Sequence, residues 1–354
     1  MSSRSSPRAV VADDSHFMRS VISDILEEGG IEVVTTARDG RAAITAVREH
    51  EPDVVTMDVE MPEMNGIEAA ERIMAERPTP ILMLSAHTDE NADVTFEALE
   101  KGAVDFFTKP GGEVSMEMSR LKEQLVDMVL SVAEVDVTTD AGRSEPASAS
   151  EPTIKPGSVV ENPTLVIGSS TGGPTVVEQI LSELPAAADL RILVVQHMPT
   201  DFTGRFATRL NKRSEYTVRE AGDGDRIGGG EALVAAGGRH MEVSNYRSGR
   251  LRVALTDDDP VNSVRPSVDV TMESAAAVID DPLVGVILTG MGTDGAAGIR
   301  AIKAAGGTTL AQDEASSAVY GMPKRAVETG QVDAICPLDT LSDRILDAIN
   351  AEVH

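Results

Sequence analysis

Gly168-Ser169-Ser170-Thr171-Gly172 fits G-x-S-x-G, the string of a nucleophile raised on a sharp strand-to-helix turn. The apolar run TLVI precedes it and a helix-like pattern follows at once. In that setting the Ser170 hydroxyl projects beside the first free N–H groups of the helix. Those groups and the helix dipole can stabilise a developing oxyanion. The same corner could equally cradle a nucleotide phosphate. The next apolar run, RILVVQHMP, ends in His197, a candidate general base at the same sheet edge. A later run, LVGVILTG, leads into a Gly-rich corner carrying Asp294. Taken singly, such residues are ordinary turn residues and helix caps. Together they offer Ser, His and Asp at successive strand ends, the set that performs acyl transfer. Their chain order differs from the Ser, Asp, His order of α/β-hydrolases, so that fold is not expected.

A second set lies near the N-terminus. Asp13 and Asp14 follow one apolar run, Asp58 follows another, Ser85 ends a third, and Lys109 precedes Pro110. Converging carboxylates repel one another, and a hard divalent cation such as Mg²⁺ relieves the repulsion. With the cation bound, Asp58 can attack a phosphoryl group as a carboxylate nucleophile. Lys109 would hold the phosphoryl oxygens and the Ser85 hydroxyl could donate to them.

Both sets need strands that end at one edge with helices returning between them. RAVVADD, EVVTTA, VVTMDV, PILMLSA and AVDFFTKP read as five strands alternating with helical patterns. This predicts a (βα)5 unit with a parallel sheet covered on both faces. TLVIGSS, RILVVQHM, EALVAAGG, LVGVILTG and GTTLAQD predict a second α/β unit, mostly parallel. HMEVSNYRSGRLRVALTD predicts an antiparallel hairpin inserted in it, turning at Ser248-Gly249. Between the units the composition turns to Ser, Pro, Glu, Asp and Ala without apolar period, the pattern of an exposed linker. The expected organisation is therefore 1–128, a linker over 129–161, and 162–354.

Composition narrows the function. The formal net charge is −27, aromatics are 3% and tryptophan is absent, while 41% of residues are hydrophobic. Such a surface repels nucleic acid and anionic lipid, and no helix-turn-helix pattern stands out. A DNA-binding regulator and direct membrane insertion are therefore not expected. Dense carboxylates with few lysines suggest a protein adapted to high salt. The single cysteine, Cys336, precludes an internal disulfide. The N-terminal MSSRSSPR lacks the apolar region of a secretory signal, which predicts a cytoplasmic protein.

The first unit resembles the receiver domains of two-component response regulators through the DD of VVADDS, the Asp of VTMDVEMPEMNG, the Ser of MLSA and the KP of FFTKP. The resemblance implies a flavodoxin-like fold with Asp58 as phosphoacceptor. It implies that Asp14, Asp58 and the backbone carbonyl of Glu60 bind Mg²⁺, with Asp13 assisting. Phe106 takes the position of the aromatic that reports the phosphorylated state. The second unit, through IGSSTGGP, VVQHMPTDFTGRFATRLN, AAGGRHMEV, VNSVRPSVDV, VILTGMGTDGAAG and AQDEASSAVYGMP, resembles the catalytic domain of the CheB family of chemotaxis protein-glutamate methylesterases.

That resemblance implies Ser170 as nucleophile, His197 as general base and Asp294 as the group orienting it. Ser169 is then structural. The N–H groups of Thr171 and Met291 would form the oxyanion hole. His240 and Asp269 are expected as substrate-groove or structural residues. The substrate implied is a glutamate γ-methyl ester on a chemoreceptor, with glutamine deamidation as a second activity and no cofactor for the ester chemistry. The implied phosphodonor is a chemotaxis histidine kinase. The layout suggests that the unphosphorylated receiver blocks the esterase and that phosphorylation relieves it. A competing reading keeps the receiver but makes the second unit a nucleotide binder at the GSSTGG corner. That reading leaves His197 and Asp294 without a role.

Overall fold

A computed structural model of the chain describes residues 6–85, 89–109, 116–137 and 162–351, with side chains described for these except 89–93, 116–120 and 350–351. The chain divides into two compact units, Met1–Arg143 and Ser144–His354.

In the first unit five strands alternate with five helices. The strands are β1 (Arg8–Ala12), β2 (Glu32–Ala37), β3 (Val54–Asp58), β4 (Ile81–Ser85) and β5 (Asp105–Thr108). The helices are α1 (His16–Glu28), α2 (Gly40–His50), α3 (Gly66–Glu76), α4 (Asp89–Glu100) and α5 (Met116–Ala133). The sheet order is β2-β1-β3-β4-β5 and every pairing is parallel. β3 and β4 are buried along their whole length, as apolar runs covered on both faces must be. Polar caps start the helices: Ser15, Asp39 and Asn65 each accept a backbone N–H of the first turn of α1, α2 and α3. The direction of winding reverses between β1 and β3, and ligands of such sheets bind beyond the carboxyl ends at that point.

The second unit is built on a seven-stranded sheet of order β15-β14-β13-β6-β7-β10-β8, parallel throughout. Its strands are β6 (Thr164–Ser169), β7 (Arg191–Gln196), β8 (Thr217–Glu220), β10 (Glu231–Val234), β13 (Leu283–Ile287), β14 (Thr308–Gln312) and β15 (Ala334–Cys336). The helices are α6 (Gly173–Glu183), α7 (Thr200–Arg213), α8 (Val268–Val278), α9 (Ala296–Ala304), α10 (Met322–Glu328) and α11 (Leu338–Ala351). The hairpin is β11 (His240–Arg247) with β12 (Arg250–Thr256), joined by a short β9 (Arg226–Ile227). It turns at Ser248-Gly249, whose φ values of 52° and 75° are those of a type I′ turn. α8 packs against β11 and α9, so its N-terminus is carried to the edge where β6 and β13 end.

Sequence and structure differ at several elements. α5 continues to Ala133, with Val129 and Val132 buried in the first core, so the first five residues of the stretch expected as a linker are helical. The rest of that stretch from 138 to 161 lies outside the described residues. β8, β9 and β15 had no clear signal because they are short and only partly buried.

Arg191 fastens the hairpin to the main sheet. It is fully buried at the start of β7. Its guanidinium donates to the carbonyls of Gly249, at 3.0 Å, and Asn162, lies 3.5 Å from Asp281, and stacks 4.7 Å over the Tyr246 ring. A charge taken out of water is tolerated only with such partners. Arg191→Ala is expected to lower the stability of the second unit by about 3 kcal/mol, read as an earlier calorimetric transition of that unit alone.

Candidate functional site

The backbone brings the Ser, His and Asp corners together. β6 lies between β13 and β7, so the three strand ends are neighbours. Ser169 is in register with Gln196, and His197 N donates to Ser169 O at 3.1 Å, which sets Ser170 and His197 side by side just past the sheet. One buried side chain fixes both corners. Gln196 Nε2 donates to the carbonyls of Ser170, at 2.9 Å, and His197, at 3.1 Å, while its Oε1 accepts from the Ser169 hydroxyl at 2.6 Å. Ser169 is therefore occupied in the turn, and Ser170 presents the half-buried hydroxyl. Gly290 allows the β13 loop to pass: a Cβ there would lie 2.7 Å from Ser170 Cβ.

His197 Nε2 is 2.8 Å from Asp294 Oδ2. Since Asp294 accepts, Nε2 carries the proton and Nδ1 is the nitrogen left as a base. Among the described residues no hydrogen bond joins the Ser170 hydroxyl to the ring.

Asp294 is 2% exposed and ringed by donors. Oδ2 accepts from His197 and from Val268 N at 2.6 Å. Oδ1 accepts from the Ser267 hydroxyl at 2.7 Å, Asn262 Nδ2 at 3.0 Å and Asp269 N at 3.2 Å. Two of these donors are first-turn N–H groups of α8, where the helix dipole also favours an anion. Burial alone would raise the carboxyl. The bonds from His197, Ser267 and Val268 outweigh it and hold the group at about 2.

Of the expected oxyanion donors, Thr171 is buried, and its N–H meets no protein acceptor among the described residues. Its carbonyl accepts from Thr289 Oγ1 at 2.9 Å. The Ser170 N–H is spent on Thr289 O, at 3.0 Å. Met291 is half-buried directly after Gly290. His240 is buried and structural: Nδ1 accepts from Ser267 N at 3.2 Å and Nε2 donates to Asp259 O at 3.1 Å. Asp269 is buried too, accepting from Gly298 N at 2.7 Å and Asn262 Nδ2 at 2.8 Å. Burial, with the nearby Asp294 charge, pushes it up. Sequence reasoning missed Gln196, Asn262 and Ser267. Gln196 stood in the quoted QHM and the other two in VNSVRPS, but nothing in their types shows which side chain turns toward Asp294.

The first unit collects its own set. Lys109 Nζ lies 2.7 Å from Asp13 Oδ2 and 2.7 Å from Asp58 Oδ2. Burial pushes Asp58 up to about 6, with the Lys109 ammonium only partly opposing it. Asp13, Asp14 and Asp58 can each aim one carboxylate oxygen to within 4.8 Å of the others. Asp14 and Glu60 border a cleft of about 380 Å³. This hard-oxygen set suits Mg²⁺. Gly66 brings α3 against the end of β3, since a Cβ there would lie 1.9 Å from Asp58 O. Ser85 is buried and accepts from Thr95 Oγ1 at 3.1 Å. Phe106 is turned inward, its ring 6.0 Å from Phe96 at 76°.

Comparison with known proteins follows the same division. A family model described as CheB methylesterase matches residues 165–345, and one described as response regulator receiver domain matches 9–123. A Haloarcula marismortui protein named protein-glutamate methylesterase/protein-glutamine glutaminase is 70% identical, covering 98% of this chain and 98% of its own. A Natronomonas pharaonis protein of the same name is 60% identical over 97% of this chain and 98% of its own. The crystal structure of the Thermotoga maritima CheB methylesterase catalytic domain superposes with a TM-score of 0.51 at 39% identity, covering 53% of this chain and 99% of that one.

The Asp294 environment predicts a pH signature. A carboxyl held below its ordinary 3.8 adds stability in full above that value and loses it as pH falls through about 2. Between pH 4 and pH 2 the parent should lose about 2 kcal/mol more than Asp294→Asn, measured by denaturant unfolding of both proteins.

Proposed function

The chain belongs to the CheB methylesterase family and carries a receiver domain ahead of the esterase domain, and from this premise we propose that it is a protein-glutamate methylesterase and glutaminase controlled by phosphorylation of Asp58. The observation that carries the ester chemistry is the Asp294–His197 bond at 2.8 Å beside the Ser170 corner. Ser170 Oγ attacks the γ-ester carbonyl of a glutamate on a chemoreceptor while His197 Nδ1 takes its proton. The developing oxyanion is received by the N–H of Thr171, with Met291 as the second donor. His197 returns the proton to the leaving oxygen and methanol departs. Water, deprotonated by His197, then attacks the acyl-enzyme, and His197 passes that proton to Ser170 Oγ as the bond breaks and the glutamate side chain is freed. A glutamine side chain passes through the same acyl-enzyme, with ammonia leaving. Asp294 stays ionised throughout, orienting the ring and stabilising the imidazolium.

In the receiver, Asp58 accepts the phosphoryl group from a chemotaxis histidine kinase. Asp13, Asp14, Asp58 and the Glu60 carbonyl would hold Mg²⁺, which neutralises phosphoryl charge when bound. The Lys109 ammonium, already bridging Asp13 and Asp58, turns to the new phosphoryl oxygens. Ser85, at the end of the neighbouring strand, offers its hydroxyl, and Phe106 registers the change through its packing. The strongly acidic composition and the haloarchaeal relatives fit a cytoplasmic protein working at high salt. Among the described residues no helix is long and apolar enough to cross a membrane.

Two outcomes test this. Ser170→Ala should release methanol from methylated receptor membranes at a rate lower by about 10⁴-fold or more, and release near the parent rate would refute the nucleophile. For Asp58→Asn, the ratio of methanol release with and without a small phosphodonor should fall to one. An undiminished ratio would remove Asp58 from the regulation.

A further inference from the structure

Residues 257–266 form the loop between β12 and α8, at the edge of the Ser-His-Asp corner. Within it Val261 and Val264 exchange both backbone hydrogen bonds, at 3.2 and 3.0 Å. Asn262 and Ser263, between them, have φ of 53° and 65°. This is a two-residue turn of the I′ kind, and glycine would form it at least as well. The asparagine amide is what glycine lacks. Its Nδ2 has two hydrogens and two carboxylates to receive them: Asp269 Oδ2 at 2.8 Å and Asp294 Oδ1 at 3.0 Å. Its Oδ1 is 3.5 Å from Thr293 Oγ1, the residue before Asp294.

Asp269 and Asp294 are buried neighbours, and like charges drawn together repel. The backbone N–H of Gly298 and the α8 N-terminus satisfy one carboxylate each. Among the described residues only Asn262 donates to both. We infer that Asn262 is a positioning residue of the esterase, its carboxamide clamping Asp294 to Asp269 so that the free edge of Asp294 meets His197. The inference rests on the proposed roles of Asp294 and His197. Without the clamp, Asp294 swings away from its neighbour and the imidazole loses its fixed orientation. A shift of about 1 Å in a catalytic group can cost roughly 10²-fold in rate.

The test uses the full chain and methanol release from methylated receptor membranes. Asn262→Gly keeps the turn and removes the amide. Its kcat should fall about tenfold or more, with KM within about twofold. Asn262→Asp, a third carboxylate in place of the donor, should be slower still. Because Asn262 acts through Asp294, adding Asn262→Gly to Asp294→Asn should cost nothing further. The inference is overturned if Asp294→Asn collapses turnover while Asn262→Gly stays near the parent. It is also overturned if the Asn262→Gly loss persists in full in the Asp294→Asn background or appears as a KM effect alone. Near-parent turnover by Asp294→Asn would instead sink the reading of the site, and this inference with it.

Discussion

One buried carboxylate organises the catalytic end of the second unit. Asp294 is buried, and protein donors take the place of the hydration shell its charge would otherwise have. Those donors come from four places: the β7 corner through His197, the β12–α8 loop through Asn262, the α8 cap through Ser267, and the first turn of α8 through Val268 and Asp269. Each is fixed by that bond as much as it fixes Asp294. Saturating the carboxylate also keeps its proton affinity low, so it directs the imidazole without taking its proton. The strand order does the rest, placing β6 between the strands that lead to Asp294 and His197.

The receiver treats a carboxylate in the opposite way. Among the described residues Asp58 is buried with one ammonium and few backbone donors, and its proton affinity rises instead of falling. In the proposed phosphoacceptor role, that incomplete satisfaction leaves lone pairs for the attack on phosphorus. Lys109 bridges Asp13 and Asp58, which leaves its ammonium beside the proposed phosphoacceptor. In the roles proposed above, the same residue type serves as a fixed orienting group in one domain and a reactive acceptor in the other, and the difference lies in the donors each site supplies.

Much of this was legible in the sequence because strand ends are legible. Continuous apolar runs mark buried parallel strands, and the residue just past each run is placed at the carboxyl edge without further information. That rule located Asp13, Asp58, Ser85, Lys109, Ser170 and His197. The Ser248-Gly249 turn was equally plain, since two residues in the left-handed region join alternating strands there. The helical residues 129–133 were missed because an acidic, Ser-rich continuation masks the last apolar turn of α5. Asn262 and Ser267 were not assignable because their roles depend on a tertiary approach. The β12–α8 loop must fold over the Asp294 corner before either side chain has anything to bond. Gln196 was hidden by its neighbour, for beside a histidine a buried glutamine reads as ordinary core.

The most direct test of the account is the position of the proton on His197. ¹⁵N NMR of the ring in the full chain at neutral pH distinguishes the two nitrogens. The account predicts a protonated Nε2, hydrogen-bonded to Asp294, and a bare Nδ1 free to act on Ser170. A proton on Nδ1 with Nε2 bare would contradict it, because the serine would then face a donor where it needs a base.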